Sequence, residues 1–246
     1  MSATPIERAL ILAAGRGERM RPLTDDIPKP LLEVGGKPLI AFHLDKLARA
    51  GIRDVVVNIS HLATQFPAAL GDGARWNLRI RYSHEGPTPL ETGGGMRRAL
   101  QWLGAAPFVA VSADIWSDYD YAQLVARGMP DANALAHLVM VPNPSFHPRG
   151  DFHFDGSHLA ESGGGERLTF ANLGLYRAAL LDDQPDHAFP LLPMFQRAMR
   201  AGKLTGERHD GAWSNIGTPR QLAELDAQLT RRQRITTPAV CAKTEP

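Results

Sequence analysis

The chain has a single cysteine, Cys241, among 246 residues, so an internal disulfide is excluded. No apolar run approaches the roughly 20 residues that a membrane-spanning helix needs, and Met1–Arg8 has no apolar core of the kind a secretory signal carries. Neither sign of charge dominates. The formal net charge is +1, and outside one loop the basic residues are scattered, which argues against nucleic acid or a membrane surface as a partner. Zinc-ligand spacing is missing, as is any Ser-His-Asp or Cys-His arrangement for a covalent intermediate. These absences lead us to expect a cytoplasmic protein without nucleic-acid or membrane partners; we also expect a monomer or weak homo-oligomer.

Two familiar glycine loops are missing as well. A P-loop needs Gly-Lys-Ser/Thr, and Gly17 is followed by Glu18 and Arg19. A dinucleotide fingerprint needs a third glycine where Met20 stands and a helix directly afterwards, which Pro22, Pro28 and Pro30 oppose. What is present is Leu10–Pro38, LILAAGRGERMRPLTDDIPKPLLEVGGKPL. Its apolar start reads as a buried strand emptying into a phosphate-holding loop, with bare backbone at Gly15 and Gly17 and charge from Arg16, Arg19 and Arg21. Lys29, between two prolines, projects from a stiff segment. That combination suits a polyphosphate.

The pairing of LAAGRGERMRPLT with PKPLLEVGGKPLI resembles the signature of the sugar-1-phosphate nucleotidyltransferases, a likeness that extends from about Arg8 to Leu229. The resemblance implies that Ala13, Ala14, Gly15, Arg16, Gly17 and Arg19 hold the nucleotide's phosphates and that Lys29 lies near the reacting ones. The segments LETGGG, DIWSDYDYAQL and HPRGDFHF look like those of the bacterial N-acetylmuramate-1-phosphate uridylyltransferases of cell-wall recycling. The substrates so implied are UTP and a sugar 1-phosphate. Uridylyl, thymidylyl or guanylyl transfer to another sugar 1-phosphate, and a non-catalytic nucleotide-sugar-binding role, stay open as alternatives.

Along the chain, strand-like and helix-like segments alternate, which predicts an α/β fold with a mostly parallel sheet flanked by helices. Apolar spacing predicts a helix over Leu39–Ala50 ended by Gly51, a buried strand over Asp54–Ile59, a helix over Leu62–Leu70 and a strand over Leu78–Tyr82. The segment SHEGPTPLETGGG then reads as irregular, with Thr92 capping a helix over Met96–Leu103. In the family a glycine-bearing loop here lies against the nucleobase, which assigns Thr92 and Gly93 to nucleotide binding.

The strand FVAVSAD ends in Asp114, beyond the carboxyl end of a sheet strand where ligands of open α/β sheets sit. We assign Asp114 to a Mg²⁺ ion and to catalysis with Lys29 and Arg19, and give the capping of the next helix to Asp118. The family usually carries an Asn-Gly-Asp triplet where this chain reads Ser112-Ala113-Asp114, and an aspartate in the later Trp-x-Asp-x-Gly-Thr motif where WSNIGT puts Asn215. Asn215 is the implied second metal ligand.

Between Ala132 and Tyr176 short strands suggest a small antiparallel extension over the ligand end of the sheet. The family's sugar contacts map there, onto Gly150 through its N–H, Asn172 and Glu161, and Arg149 is placed to meet a lactyl carboxylate. His147 and His153 are expected to be solvated. A helix over Leu191–Ala201 and another from Thr218 to Leu229 complete a nucleotidyltransferase domain of residues 1–229, followed by a disordered tail, 230–246. With no long extension after it, the chain is expected to lack the β-helix acetyltransferase domain of bifunctional relatives.

Overall fold

A computed structural model describes residues 5–236. The strand Arg8–Leu12 lies at the centre of the sheet because Ala9, Leu10 and Ile11 are apolar on both faces. It pairs in parallel with Asp54–Ile59 on one side and Phe108–Ser112 on the other, and Arg79–His84 extends the parallel set beyond Asp54–Ile59. Among the described residues nine strands make up this sheet.

Helices Leu39–Arg49, Gln65–Leu70 and Tyr121–Arg127 bury one face through Leu44, Phe66 and Leu124 against Ile11, Val57 and Val111. Helices Glu91–Leu103 and Leu192–Arg200 bury the other through Met96, Ala99 and Phe195 against Leu10, Val56 and Ala110. The alternation of Leu10 with Ala9 and Ile11 divides the two cores. A third cluster joins Met20, Leu32, Val34 and Trp116 to Leu225 and Leu229 of the last helix, and so clamps the loop that follows the first strand.

The expected antiparallel extension is only half separate. Glu166–Tyr176 is one long strand whose later residues pair antiparallel with Phe108–Ser112 and with Ala136–Val141, inside the main sheet. Its first residues run past the sheet and pair with Phe152–Phe154, which carries Leu159–Ala160. A bulge between Phe170 and Gly174, with Asn172 at φ 57°, bends the strand where it parts from Phe108–Ser112. Leu204–Arg208 closes the far edge, parallel to Ala136–Val141.

Several boundaries differ from expectation, among them the strand Arg79–His84, which runs two residues past Tyr82. Asp120, not Asp118, caps Tyr121–Arg127, its carboxylate accepting the Ala122 N–H, while Asp118 accepts a hydrogen bond from His209. Helix Gln65–Leu70 starts late because Leu62 adopts a left-handed conformation, φ 51°. The last helix, Pro219–Thr236, runs beyond Leu229, and the remainder of the expected tail, 237–246, lies outside the described residues. Among the described residues no helix is long and apolar enough to cross a membrane.

His43 is fully enclosed in the first core, with Nδ1 2.8 Å from the Tyr121 hydroxyl and Nε2 2.9 Å from the Ile115 carbonyl. Burial pushes its pKa down to about 4 against the bond to Ile115. The unfolded chain therefore takes up a proton between about pH 6.5 and 4 that the folded chain refuses, so stability is complete above that window and falls within it. We expect His43 alone to remove about 2 kcal/mol of unfolding free energy at pH 5 relative to pH 7.5. Urea melts at the two pH values, with His43→Asn as reference, check this; an equal loss in the variant would assign the effect elsewhere.

Candidate active site

The parallel strands end together at Leu12, Ile59, His84 and Ser112, and their carboxyl ends open onto a cleft of about 610 Å³. Ala13, Ala14, Gly15, Gly17, Glu18 and Arg19 form one wall. The first of these is held by its backbone, for the Ala13 N–H donates to Asn58 Oδ1 at 2.5 Å. Gly17 has φ 68°, and a Cβ there would press against Lys29 and Thr24, whose hydroxyl donates to the Gly17 carbonyl. Around Gly15 nothing lies within reach of an added Cβ, so its backbone faces open space.

Lys29 opens a short 3-10 turn after Pro28 and is 7% exposed. Its ammonium donates to Asp114 Oδ2 at 2.6 Å across the cleft, joining two positions that are 85 residues apart. Arg19 reaches the rim at Gly217. Arg16 is exposed and does not line the cleft, and Arg21 is engaged outside it by Asp25 at 2.6 Å.

The glycine triad behaves differently from the sequence expectation. The helix begins at Glu91 and includes Thr92 and all three glycines; Leu90 is its N-cap, and Thr92 lines the cleft without capping anything. These glycines are sites of close approach. A Cβ on Gly93 would collide with the Phe189 ring, one on Gly94 with the His187 carbonyl, and one on Gly95 with Glu85 and Asn58. Gly93 therefore faces Phe189, to whose carbonyl its N–H donates at 3.0 Å, and is turned away from the cleft.

Asn58 and Glu85, which no motif in the sequence marks, form the floor. The Asn58 amide donates to Glu85 Oε1 at 2.6 Å, and Glu85 Oε2 accepts the Leu90 N–H at 2.7 Å. Burial pushes the Glu85 carboxyl above its ordinary pKa despite both hydrogen bonds. The chain of contacts ties the loop backbone at Ala13 to the entrance of the glycine-rich helix. An asparagine inside the apolar run DVVVNI is the one signal that could have pointed to it.

Asn215 belongs to the strand Trp213–Asn215, which pairs antiparallel with Ile115–Ser117, and the Ile216 N–H donates to the Asp114 carbonyl at 2.9 Å. The Asn215 backbone thus runs next to that of Asp114, though Asn215 does not line the cleft, and its Oδ1 is buried without a hydrogen-bond partner. The expected sugar residues are not cleft-lining. Asn172 is at the strand bulge, half-buried. The Gly150 N–H already donates to the His147 carbonyl at 3.2 Å, and its φ of 60° and crowding against Asn143 explain the glycine in place of the expected sugar contact. Arg149 is exposed beside it. Glu161 faces Arg200 at 3.7 Å, which uses the carboxylate in an ion pair. His147 is not merely solvated, since it lies 3.0 Å from Asp151.

Residues 8–152 match the sequence profile described as "Nucleotidyl transferase". The chain is 44% identical over 225 residues to N-acetylmuramate alpha-1-phosphate uridylyltransferase of Neisseria meningitidis serogroup B, covering 89% of this chain and 97% of that protein. It is 35% identical to the protein of the same name from Caulobacter vibrioides, over 93% and 99% of the two chains. In fold it is similar to the crystal structure of HddC from Yersinia pseudotuberculosis, with a TM-score of 0.72 at 20% identity over 91% and 99% of the chains.

Proposed function

The chain belongs to the nucleotidyl transferase family, and from that membership we infer that it transfers UMP from UTP to N-acetylmuramate 1-phosphate, releasing pyrophosphate. The observation that carries this reading is the Lys29–Asp114 pair, set in a cleft that the glycine and arginine loop also lines. One buried cation and one carboxylate at the ends of central strands suit a reaction between two anions, where charge must be neutralised before the reactants can meet.

A sugar-phosphate oxygen attacks the α-phosphorus of UTP as the bond to the bridging oxygen of pyrophosphate breaks, so the leaving group takes that electron pair. The sugar phosphate is already anionic and needs no general base. In this reading the Gly15 and Gly17 backbone and Arg19 bind the β- and γ-phosphates, and Lys29 steadies the charge growing on the α-phosphoryl oxygens. Thr92 borders the nucleoside end, and Asn58 with Glu85 holds the floor rigid. Asp114 and the orphaned amide oxygen of Asn215 fit a hard divalent cation such as Mg²⁺, completed by phosphate oxygens. Bound there, the ion would supply further neutralisation of phosphate charge.

The sugar side is proposed from the segment around the bulge, to which Asn172 belongs, and from the exposed Arg149, neither of which lines the cleft itself. Arg149→Ala is expected to lower kcat/KM for N-acetylmuramate 1-phosphate about tenfold more than for N-acetylglucosamine 1-phosphate, since only the first carries a carboxylate. Equal losses would remove Arg149 from the lactyl contact. The overall reading is tested by a matrix of nucleoside triphosphates against sugar 1-phosphates with pyrophosphate as readout. UTP with N-acetylmuramate 1-phosphate should give the highest kcat/KM. A preference for glucose 1-phosphate would contradict the sugar, and one for GTP or dTTP the base.

A further inference from the structure

Asp114 is the acidic side chain that the site offers a cation beside Asn215, and Lys29 already holds it. Lys29 Nζ lies 2.6 Å from Asp114 Oδ2, and the lysine is fixed in place by the turn after Pro28, its stem filling the space that a Cβ on Gly17 would need. Asn215, where a second carboxylate would add charge, brings a neutral amide whose Oδ1 is buried and unpaired. The set Asp114, Lys29 and Asn215 therefore sums to zero charge. Among the described residues no group of three His, Cys, Asp or Glu side chains could hold a metal in their stead.

From this geometry we propose that the free protein excludes divalent cations from Asp114 through the Lys29 ammonium, and that the ion is admitted only with the nucleotide. The inference rests on the metal assignment made above and adds an order to it. A triphosphate in the cleft presents anionic oxygens to Lys29, which can exchange one anionic partner for another. Asp114 is then released to the ion, while the phosphates supply the negative charge that Asn215 does not. Without the nucleotide, a divalent ion at Asp114 would face an ammonium in near contact with no compensating anion.

The test is Mn²⁺ binding to the full chain without nucleotide, read from the electron paramagnetic resonance signal of the free ion. Lys29→Met removes the competing charge with little change in shape, and Asn215→Asp adds a negative charge at the neighbouring position. Each is expected to bind one Mn²⁺ about tenfold or more tighter than the intact protein, which should leave the ion free up to millimolar concentrations. Adding Asp114→Asn to Lys29→Met should cancel the gain. Binding by the intact protein as tight as by Lys29→Met would overturn the exclusion, and so would tight nucleotide-free binding by the intact protein should that variant fail to fold. If Asp114→Asn leaves the tight site of Lys29→Met untouched, the assignment of Asp114 as ligand fails, and the exclusion fails with it. The pyrophosphate matrix reads the transfer reaction independently of either result.

Discussion

Replacing Lys29 with alanine should lower kcat by about 10²-fold or more while shifting the unfolding free energy by only about 1 kcal/mol. The disproportion follows from where the residue sits. Its stem lines a wall of an open cleft, so water can fill the space that truncation leaves, and Asp114 has a side chain 36% exposed and can be hydrated once unpaired. Its charge, by contrast, is held where the proposed reaction would bring the phosphates together, and the largest catalytic return on a fixed cation comes when negative charge accumulates in the transition state. The loss should fall on kcat more than on KM for UTP, because Arg19 and the loop backbone remain to hold the nucleotide. Steady-state kinetics with a parallel urea melt checks both parts; unchanged kcat would end the proposed phosphate role of Lys29.

Asp114→Asn should be at least as damaging, about 10²- to 10³-fold in kcat at ordinary Mg²⁺ concentration. The substitution keeps the shape and one acceptor oxygen, so the fold has no reason to change. It removes the carboxylate beside Asn215, however, and leaves a cation held by neutral protein oxygens and phosphates alone. It also breaks the ion pair that orients Lys29. If the damage is chiefly weakened metal binding, raising Mg²⁺ should recover part of the rate in Asp114→Asn and almost none in Lys29→Ala. A rate that ignores Mg²⁺ in both variants would separate Asp114 from the ion.

Much of this arrangement is legible in the amino-acid sequence. The strand Asp54–Ile59 appears with its expected ends because a run of β-branched residues suits a sheet buried on both faces. Asp114 and Lys29 stand out as a carboxylate at the end of an apolar strand and a cation between two prolines, and the fold brings the two together. The glycine triad is misread for a physical reason. Three consecutive glycines have poor helix propensity, so local reasoning makes them a loop, yet Phe189, His187 and Glu85 pack so closely against that turn that no side chain fits. Tertiary packing overrides propensity there. Asn58 and Glu85 escape for a related reason, since each has ordinary sequence surroundings and the pair acquires meaning only when positions 27 residues apart are brought together. The rim is where sequence reasoning is weakest. Gly150 is required by its own backbone conformation, and Glu161 is paired with an arginine on a helix that no local pattern connects to it.

The contrast between Gly93 and Gly15 separates two uses of the same residue. Gly15, which lines the cleft, would meet nothing with an added Cβ, whereas Gly93 is enclosed by Phe189. On the proposed binding of phosphates, substitution at Gly15 would act on the ligand, and substitution at Gly93 on the packing of the helix.

The transfer itself is the most direct measurement. Incubated with UTP labelled at the α-phosphorus and with N-acetylmuramate 1-phosphate, the protein should move the label into a sugar nucleotide and release one pyrophosphate per transfer, with no labelled protein at any time. A protein that binds UTP in this cleft yet leaves the label in UTP with every sugar 1-phosphate offered would contradict the proposed reaction, and would mark the chain as a nucleotide-binding member of the family without transfer activity.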